Sequence, residues 1–269
     1  MNQERTVHDL FNLQGKVAIL TGASGWLGSA MSRALAEAGA TLVVTSREAE
    51  KAAEFAATLP GSGHIGLGFD QGDTDAIPSF VAQVLAKLGK IDILVNNAYG
   101  GTAPSIESAT AADFDRAYHT GVTAYFLLAR AVADHLRSRG APGSIINISS
   151  MYGVVASYPD AYTGLSVNSP PNYHGLKGGL IHLTRHLAVY WAKDNIRVNV
   201  INPVAGETAM LAQFMGEDTP ETRMRFVASI PLGRLSKPGD IAAAAVFFAS
   251  DEAAFVTGAC LEVDGGRCV

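Results

Sequence analysis

Cysteine is almost absent from this chain: Cys260 and Cys268 are the only two in 269 residues, and both fall in the last ten. That usage excludes a disulfide framework and a cysteine-built metal site, and it suits a reducing compartment. Long hydrophobic runs are missing as well. The longest apolar stretch, Ile241–Ala249, falls far short of the roughly 20 residues that a membrane-spanning helix needs. Met1–Asn12 is polar and charged, without the apolar centre of a signal peptide, so the expectation is a soluble, cytoplasmic protein. Nor is there an excess of positive charge. Twenty Lys and Arg against 25 Asp and Glu give a net charge of −5, which leaves no footprint for nucleic acid or an anionic membrane. A local basic group can still bind an anionic ligand.

What is present is regular alternation. Short apolar or β-branched runs recur at Val17–Leu20, Leu42–Thr45, Ile65–Phe69, Ile91–Val95, Ser144–Ile148, Val198–Ile201 and Leu261–Val263. Alanine-rich helical patterns at Ser29–Ala38, Glu48–Leu59 and Asp75–Leu88 separate the early ones. This order predicts βαβ units, hence an α/β doubly wound parallel sheet of about seven strands with helices on both faces. No internal repeat, low-complexity tract or linker interrupts it, so residues 1–269 are expected to form a single domain, with 1–12 as an N-terminal extension. Two segments depart from the pattern. Ser157–Asn172 holds Pro159, Pro170 and Pro171 among small polar residues and reads as a loop. Ala205–Ser229 reads as a mobile helical excursion. Both are expected at the carboxyl ends of the strands, where open α/β sheets bind ligands.

The first strand runs into Thr21-Gly22-Ala23-Ser24-Gly25-Trp26-Leu27-Gly28, and a helix follows. Strand, glycine-rich turn and helix form the context of a dinucleotide site. Glycine lets the backbone approach the ligand, and the helix N-terminus offers free N–H groups to a pyrophosphate. After the second strand stands Thr45-Ser46-Arg47 rather than an acidic residue. A hydroxyl and a guanidinium suit a ribose 2′-phosphate, whereas a carboxylate would repel one. NADP(H) is therefore favoured over NAD(H).

Tyr173 and Lys177 are four residues apart and share a helix face. A free phenol keeps its proton to about pH 10. An adjacent ammonium favours the phenolate and brings that pKa towards the range useful for acid–base chemistry. Ser149 and Ser150 end the fifth apolar run upstream.

Together these motifs resemble the short-chain dehydrogenase/reductase family over nearly the whole chain. Further matches are Asp70 after the third strand, Asn96-Asn97-Ala98 after the fourth, Ile146–Ser150, Arg197–Pro203, and Val256-Thr257-Gly258 with Val263–Gly266. The resemblance implies a Rossmann-type fold and an enzyme that interconverts a secondary alcohol and a ketone. Tyr173 would be the general acid/base, Lys177 would lower its pKa and bind the nicotinamide ribose, and Ser150 would hold the substrate oxygen. Ser149 is assigned a structural role instead. Gly22, Ser24, Gly25, Trp26, Leu27 and Gly28 would bind the cofactor, with Ser46 and Arg47 at its adenosine ribose. Asp70 and Gln71 would lie at the adenine, Asn97 and Ala98 along the adenosine site, and Pro203, Gly206 and Thr208 at the nicotinamide amide. No metal is implied.

Three departures from the family pattern stand out. Trp26 replaces a glycine in the turn, so packing there must differ. Gly121 stands where the family's active-site asparagine is expected, and a local helix kink would let its carbonyl serve instead. The interval from Ser150 to Tyr173 is long, and its loop carries Tyr158, Asp160, Tyr162, Thr163, Ser166 and Asn168. Long loop and turn spacing together are similar to the gluconate dehydrogenase-like and surface-sugar oxidoreductases, which points to a sugar or polyol substrate. Two other activities fit the chain: an epimerase or dehydratase that retains its nicotinamide, suggested by the turn, and a regulator without catalysis, suggested by Gly121. The Val256–Val263 segment resembles the family's dimer-forming edge, and a homotetramer is expected.

Overall fold

The computed structural model describes residues 6–101, 103–158, 169–204, 206 and 220–269. Seven parallel strands form one sheet in the order β3-β2-β1-β4-β5-β6-β7. They are β1 (Val17–Leu20), β2 (Thr41–Ser46), β3 (Ile65–Gly68), β4 (Ile93–Asn96), β5 (Gly143–Ile148), β6 (Ile196–Pro203) and β7 (Cys260–Val263). Strand order reverses between β1 and β4, which are hydrogen-bonded neighbours. That reversal opens a crevice at their carboxyl ends. The central strands are buried on both faces, which is why they appear as unbroken apolar runs rather than alternating ones.

The helices are α1 (Val7–Phe11), α2 (Trp26–Glu37), α3 (Ala49–Ala57), α4 (Ile77–Leu88), α5 (Ala111–Tyr118), α6 (Ala124–Ser138), α7 (Pro171–Trp191), α8 (Pro220–Ala228) and α9 (Pro238–Ala249). One core lies under α2 and α9, around Leu20, Met31, Leu35, Val95 and Phe248. The other lies on the opposite face under α4, α6 and α7, around Ile19, Phe80, Leu94, Val132 and Leu187. A third, smaller cluster joins Met151 to Val204, Phe226, Ile230 and Leu235, tying the residue after Ser150 to α8.

Local chemistry sets the boundaries. Thr110 and Asp113 form a reciprocal capping box that starts α5. Gly89, at φ 75°, ends α4 in the left-handed conformation. Proline opens α7, where its missing N–H costs nothing. Pro171 and Asn172 therefore belong to α7 and not to the preceding loop, a correction to the sequence reading. Residues 159–168 lie outside the described residues, as do 205 and 207–219 of the expected excursion. The part of that excursion from Pro220 to Ala228 is helical. Between α5 and α6 the chain makes one π-helical turn, His119–Thr123, so the two helices run on through a bulge centred on Gly121.

Candidate active site

The crevice between β1 and β4 is lined by a turn that admits only glycine at key points. Gly22 has φ 65°, and a Cβ on Gly28 would lie 2.1 Å from the Gly22 carbonyl oxygen. The turn is closed this tightly because α2 begins directly above it, with Gly25 at its N-cap. No side chain caps that end, and no acidic residue occupies its first turn. Its first N–H groups thus remain available to an anion. Thr21 and Asn97 pin the turn to β4. The Asn97 amide donates to the carbonyls of Thr21 (3.0 Å) and Gly22 (3.1 Å). Thr21 Oγ1 accepts from the backbone N–H groups of Asn97 and Ala98. Asn97 is committed to the protein scaffold through its side chain.

The other proposed cofactor residues surround this crevice. Ser46 ends β2, and Arg47 follows it exposed, with no ion pair among the described residues. Asp70 is exposed beyond β3 and accepts the Gly72 N–H at 2.8 Å. Ser24 is exposed at the tip of the turn. Leu27 packs into the core beside α2. The Trp26 indole instead reaches across to Gly206, beyond the end of β6: a Cβ there would fall 2.0 Å from its Cη2 atom. Trp26 and Gly206 therefore fit together as large and small. Pro203 ends β6, and Thr208 lies outside the described residues. Free N–H groups and a glycine-lined cradle suit the pyrophosphate of a dinucleotide.

On the other side of the crevice, the end of β5 packs on the first turns of α7. Ser149 Oγ donates to the Lys177 carbonyl at 2.9 Å and is buried in that bond. Ser150 Oγ accepts the Tyr152 N–H at 3.2 Å and caps a short 3-10 turn. Lys177 is 3% exposed, and its ammonium donates to the Ile148 carbonyl at 2.8 Å. Burial pulls its pKa from the usual 10.5 down to about 7. The ammonium lies 5.4 Å from the centre of the Tyr173 ring and 5.3 Å from that of Tyr99. His174, beside Tyr173, packs on Tyr152 with ring centres 4.6 Å apart and meets Ser169. Burial comes first in holding His174 below the ordinary histidine range.

Sequence reading missed Tyr99. It stands directly after the Asn96-Asn97-Ala98 motif, and nothing local marks it as different from a core tyrosine. Burial pushes its phenol up to about 12, and Tyr173 adds to the effect. Gln71, proposed for the adenine end, ties two backbone segments together. Its amide donates to the carbonyls of Ala98 and Thr120, each at 3.0 Å. No group of three or more His, Cys, Asp or Glu that could hold a metal occurs among the described residues. No helix among them is long and apolar enough to cross a membrane.

Residues 22–267 match the family model described as enoyl-(acyl carrier protein) reductase. A 4-formylbenzenesulfonate dehydrogenase of Comamonas testosteroni is 39% identical over 262 residues, covering 95% of this chain and 99% of the relative. An NADP-dependent mannitol dehydrogenase of Hypocrea jecorina is 37% identical, covering 96% and 94%. The crystal structure of a gluconate 5-dehydrogenase from Burkholderia cenocepacia, in complex with NADP and tartrate, superposes with a TM-score of 0.88. It shares 31% identity and covers 97% of this chain and 98% of that one.

Proposed function

The chain belongs to the short-chain dehydrogenase/reductase family and is an NAD(P)-dependent oxidoreductase of CH–OH groups; from that premise we propose that it interconverts a secondary alcohol and a ketone on a sugar- or polyol-like substrate, with Tyr173 as acid/base. The observation that carries this reading is the buried Lys177 ammonium, 5.4 Å from the Tyr173 ring. When bound, the nicotinamide supplies the hydride acceptor or donor. The chain's own residues manage the proton and the oxygen. Lys177 favours the Tyr173 phenolate electrostatically, and Tyr173 takes the hydroxyl proton as the alcohol is oxidised. In reduction the same phenol returns it. Ser150 already accepts from the Tyr152 N–H, which leaves its own hydrogen to donate to the substrate oxygen as charge develops there.

NADP(H) is the proposed cofactor. Arg47 is exposed just after β2, and the adjoining Glu48 is paired with Lys51 at 2.7 Å; the mannitol and gluconate enzymes are named with NADP. A polar substrate is supported by the rim of Ser150, Tyr152, Ser169 and His174 around Tyr173. The names of the mannitol and gluconate enzymes point the same way. Residues 1–269 are read as one catalytic domain working in the cytoplasm. A homotetramer is proposed because β7 ends the sheet with all four residues only half-buried, while Val189 and Tyr190 of α7 are exposed. Light scattering at micromolar concentration should give four times the chain mass.

The deciding experiment follows reduced-nicotinamide absorbance with NADP⁺ or NAD⁺ across sugar acids, polyols and cyclic alcohols. Turnover with NADP⁺ on a hydroxylated substrate is expected. Strict preference for NAD⁺, or activity confined to apolar alcohols, would refute the cofactor or substrate assignment respectively.

A further inference from the structure

The ring of Tyr99 sits in a slot that two glycines open. A Cβ on Gly121 would lie 2.8 Å from Leu176 Cδ1 and 3.3 Å from two ring carbons of Tyr99. A Cβ on Gly101 would lie 2.2 Å from the Tyr99 hydroxyl oxygen. The walls of the slot are tied together. Gln71 bonds the carbonyl of Ala98, just before Tyr99, and that of Thr120, just before Gly121. His119 reaches the Gly72 carbonyl at 2.8 Å. The π-helical turn at His119–Thr123 thus brings the side-chain-free Gly121 to the place where the tyrosine needs space.

What the slot presents is an aromatic face beside the acid–base pair. Lys177 Nζ lies 5.3 Å from the Tyr99 ring centre, and the rings of Tyr99 and Tyr173 are 5.5 Å apart and tilted by 55°. The Tyr99 hydroxyl is buried and has no hydrogen-bond partner among the described residues, so hydrogen bonding within the protein does not explain why a tyrosine ring is held here.

We infer that Tyr99 is a positioning residue for the Tyr173–Lys177 pair, its ring face keeping the buried lysine charged beside the phenol that must ionise. The inference rests on the acid–base reading of Tyr173. An ammonium withdrawn from water loses its hydration, and the negative face of an aromatic ring restores part of it. Burial leaves Lys177 with a pKa of about 7, so near neutrality a small added preference for the ammonium changes the charged fraction strongly. An uncharged Lys177 would give the Tyr173 phenolate no electrostatic support. The ionisable groups around Tyr173 are Lys177 and His174 on its own helix, Tyr99 after β4, Tyr125 on α6 and Tyr152 after β5. Tyr118 of α5 faces the same helix at Gly175. Of these, only Lys177 and His174 can carry positive charge, and burial holds both below their ordinary ranges.

The test is a tyrosinate absorbance titration of the full-length protein. In each background the curve of a matched Tyr173→Phe variant is subtracted, so that Tyr173 alone is read. The wild-type midpoint should lie well below the ordinary phenol range. Tyr99→Leu should raise it by about one pH unit, the size of a desolvated cation–π contact. Tyr99→Phe keeps the ring and should keep the midpoint. Gly121→Ala crowds the ring and should raise the midpoint too, which decides the matter if Tyr99→Leu does not fold. An unchanged midpoint in Tyr99→Leu and Gly121→Ala would overturn the inference while sparing the acid–base reading. An equal rise in Tyr99→Phe would overturn it as well, by assigning the effect to the hydroxyl. A wild-type Tyr173 that titrates like a free phenol would overturn the acid–base reading itself and this inference with it.

Discussion

At the amino ends of β1 and β4, Asp92 has partners for both carboxylate oxygens. Val17 N–H and Lys90 reach Oδ2 at 2.9 and 3.0 Å, and Arg139 reaches Oδ1 at 3.2 Å. Beyond the carboxyl ends of β4 and β5, several polar groups are left short. Lys177 has one carbonyl and two ring faces, while Tyr99 Oη and Gln71 Oε1 are buried without a partner. Burial alone would raise the Asp92 pKa, but its donors outweigh burial and hold it below the usual carboxylate range. Around Lys177 burial wins. The Asp92 cluster and the Lys177–Tyr99 cluster thus differ in how completely their polar groups are satisfied. The first holds strands together, and the second keeps bonding capacity for a ligand.

Substitutions in the two clusters should separate stability from activity. The largest effect is expected at Tyr173→Phe, which removes the oxygen proposed to transfer the proton. Turnover should fall about 100- to 10,000-fold while the melting temperature stays near wild type. Stopped-flow and calorimetry on the same preparation would check both halves, and near-normal turnover would break the comparison at its functional end.

Asp92→Asn should do the reverse. It strands Lys90 and Arg139 and weakens the bond to Val17, costing about 2 kcal/mol of stability. Cofactor affinity in the folded fraction should be unchanged. Urea denaturation followed by fluorescence, alongside NADP⁺ binding, measures the two quantities separately.

Arg47→Ala sharpens the comparison within the carboxyl end. Loss of a charge-assisted contact to a 2′-phosphate should weaken NADP⁺ binding by about 1.5–3 kcal/mol and leave NAD⁺ binding almost untouched. Calorimetric titration with each dinucleotide tests it, and equal losses would remove Arg47 from cofactor choice.

The smallest effect concerns His135, which accepts the Ile91 N–H at 3.2 Å near Asp92. Burial and then the neighbouring Arg139 hold its pKa below the ordinary 6.5, against an opposing pull from Asp92. The folded protein therefore resists protonation that the unfolded chain accepts. Stability from this group is complete above pH 6.5 and declines as pH falls from there through the lower folded value. Melting curves across that window should slope in the wild type and flatten in His135→Gln.

Much of this was legible in the sequence because it is local. Apolar runs bounded by turn residues marked all seven strands to within a few residues, and the turn at Thr21–Gly28 announced its own strand–helix context. Tyr173 and Lys177 share a face through helix periodicity alone. The start of α7 was misjudged because Pro170 and Pro171 signal a loop, yet proline also opens helices. The bonds of Gln71 to Ala98 and Thr120, which tie the segment after β4 to the π-helical turn, could not be read from its position in the chain.

The sequence by itself determined the alternation of strands and helices, the glycine turn and the tyrosine–lysine pair, since each depends on neighbours within one element. Tertiary structure alone decided what Gly121 is for. Tyr99 and Gly121 lie 22 positions apart, in the segment after β4 and on a helical bulge. No periodicity links them, and the exchange of volume between a ring and a missing side chain exists only once the sheet has brought the two segments into contact.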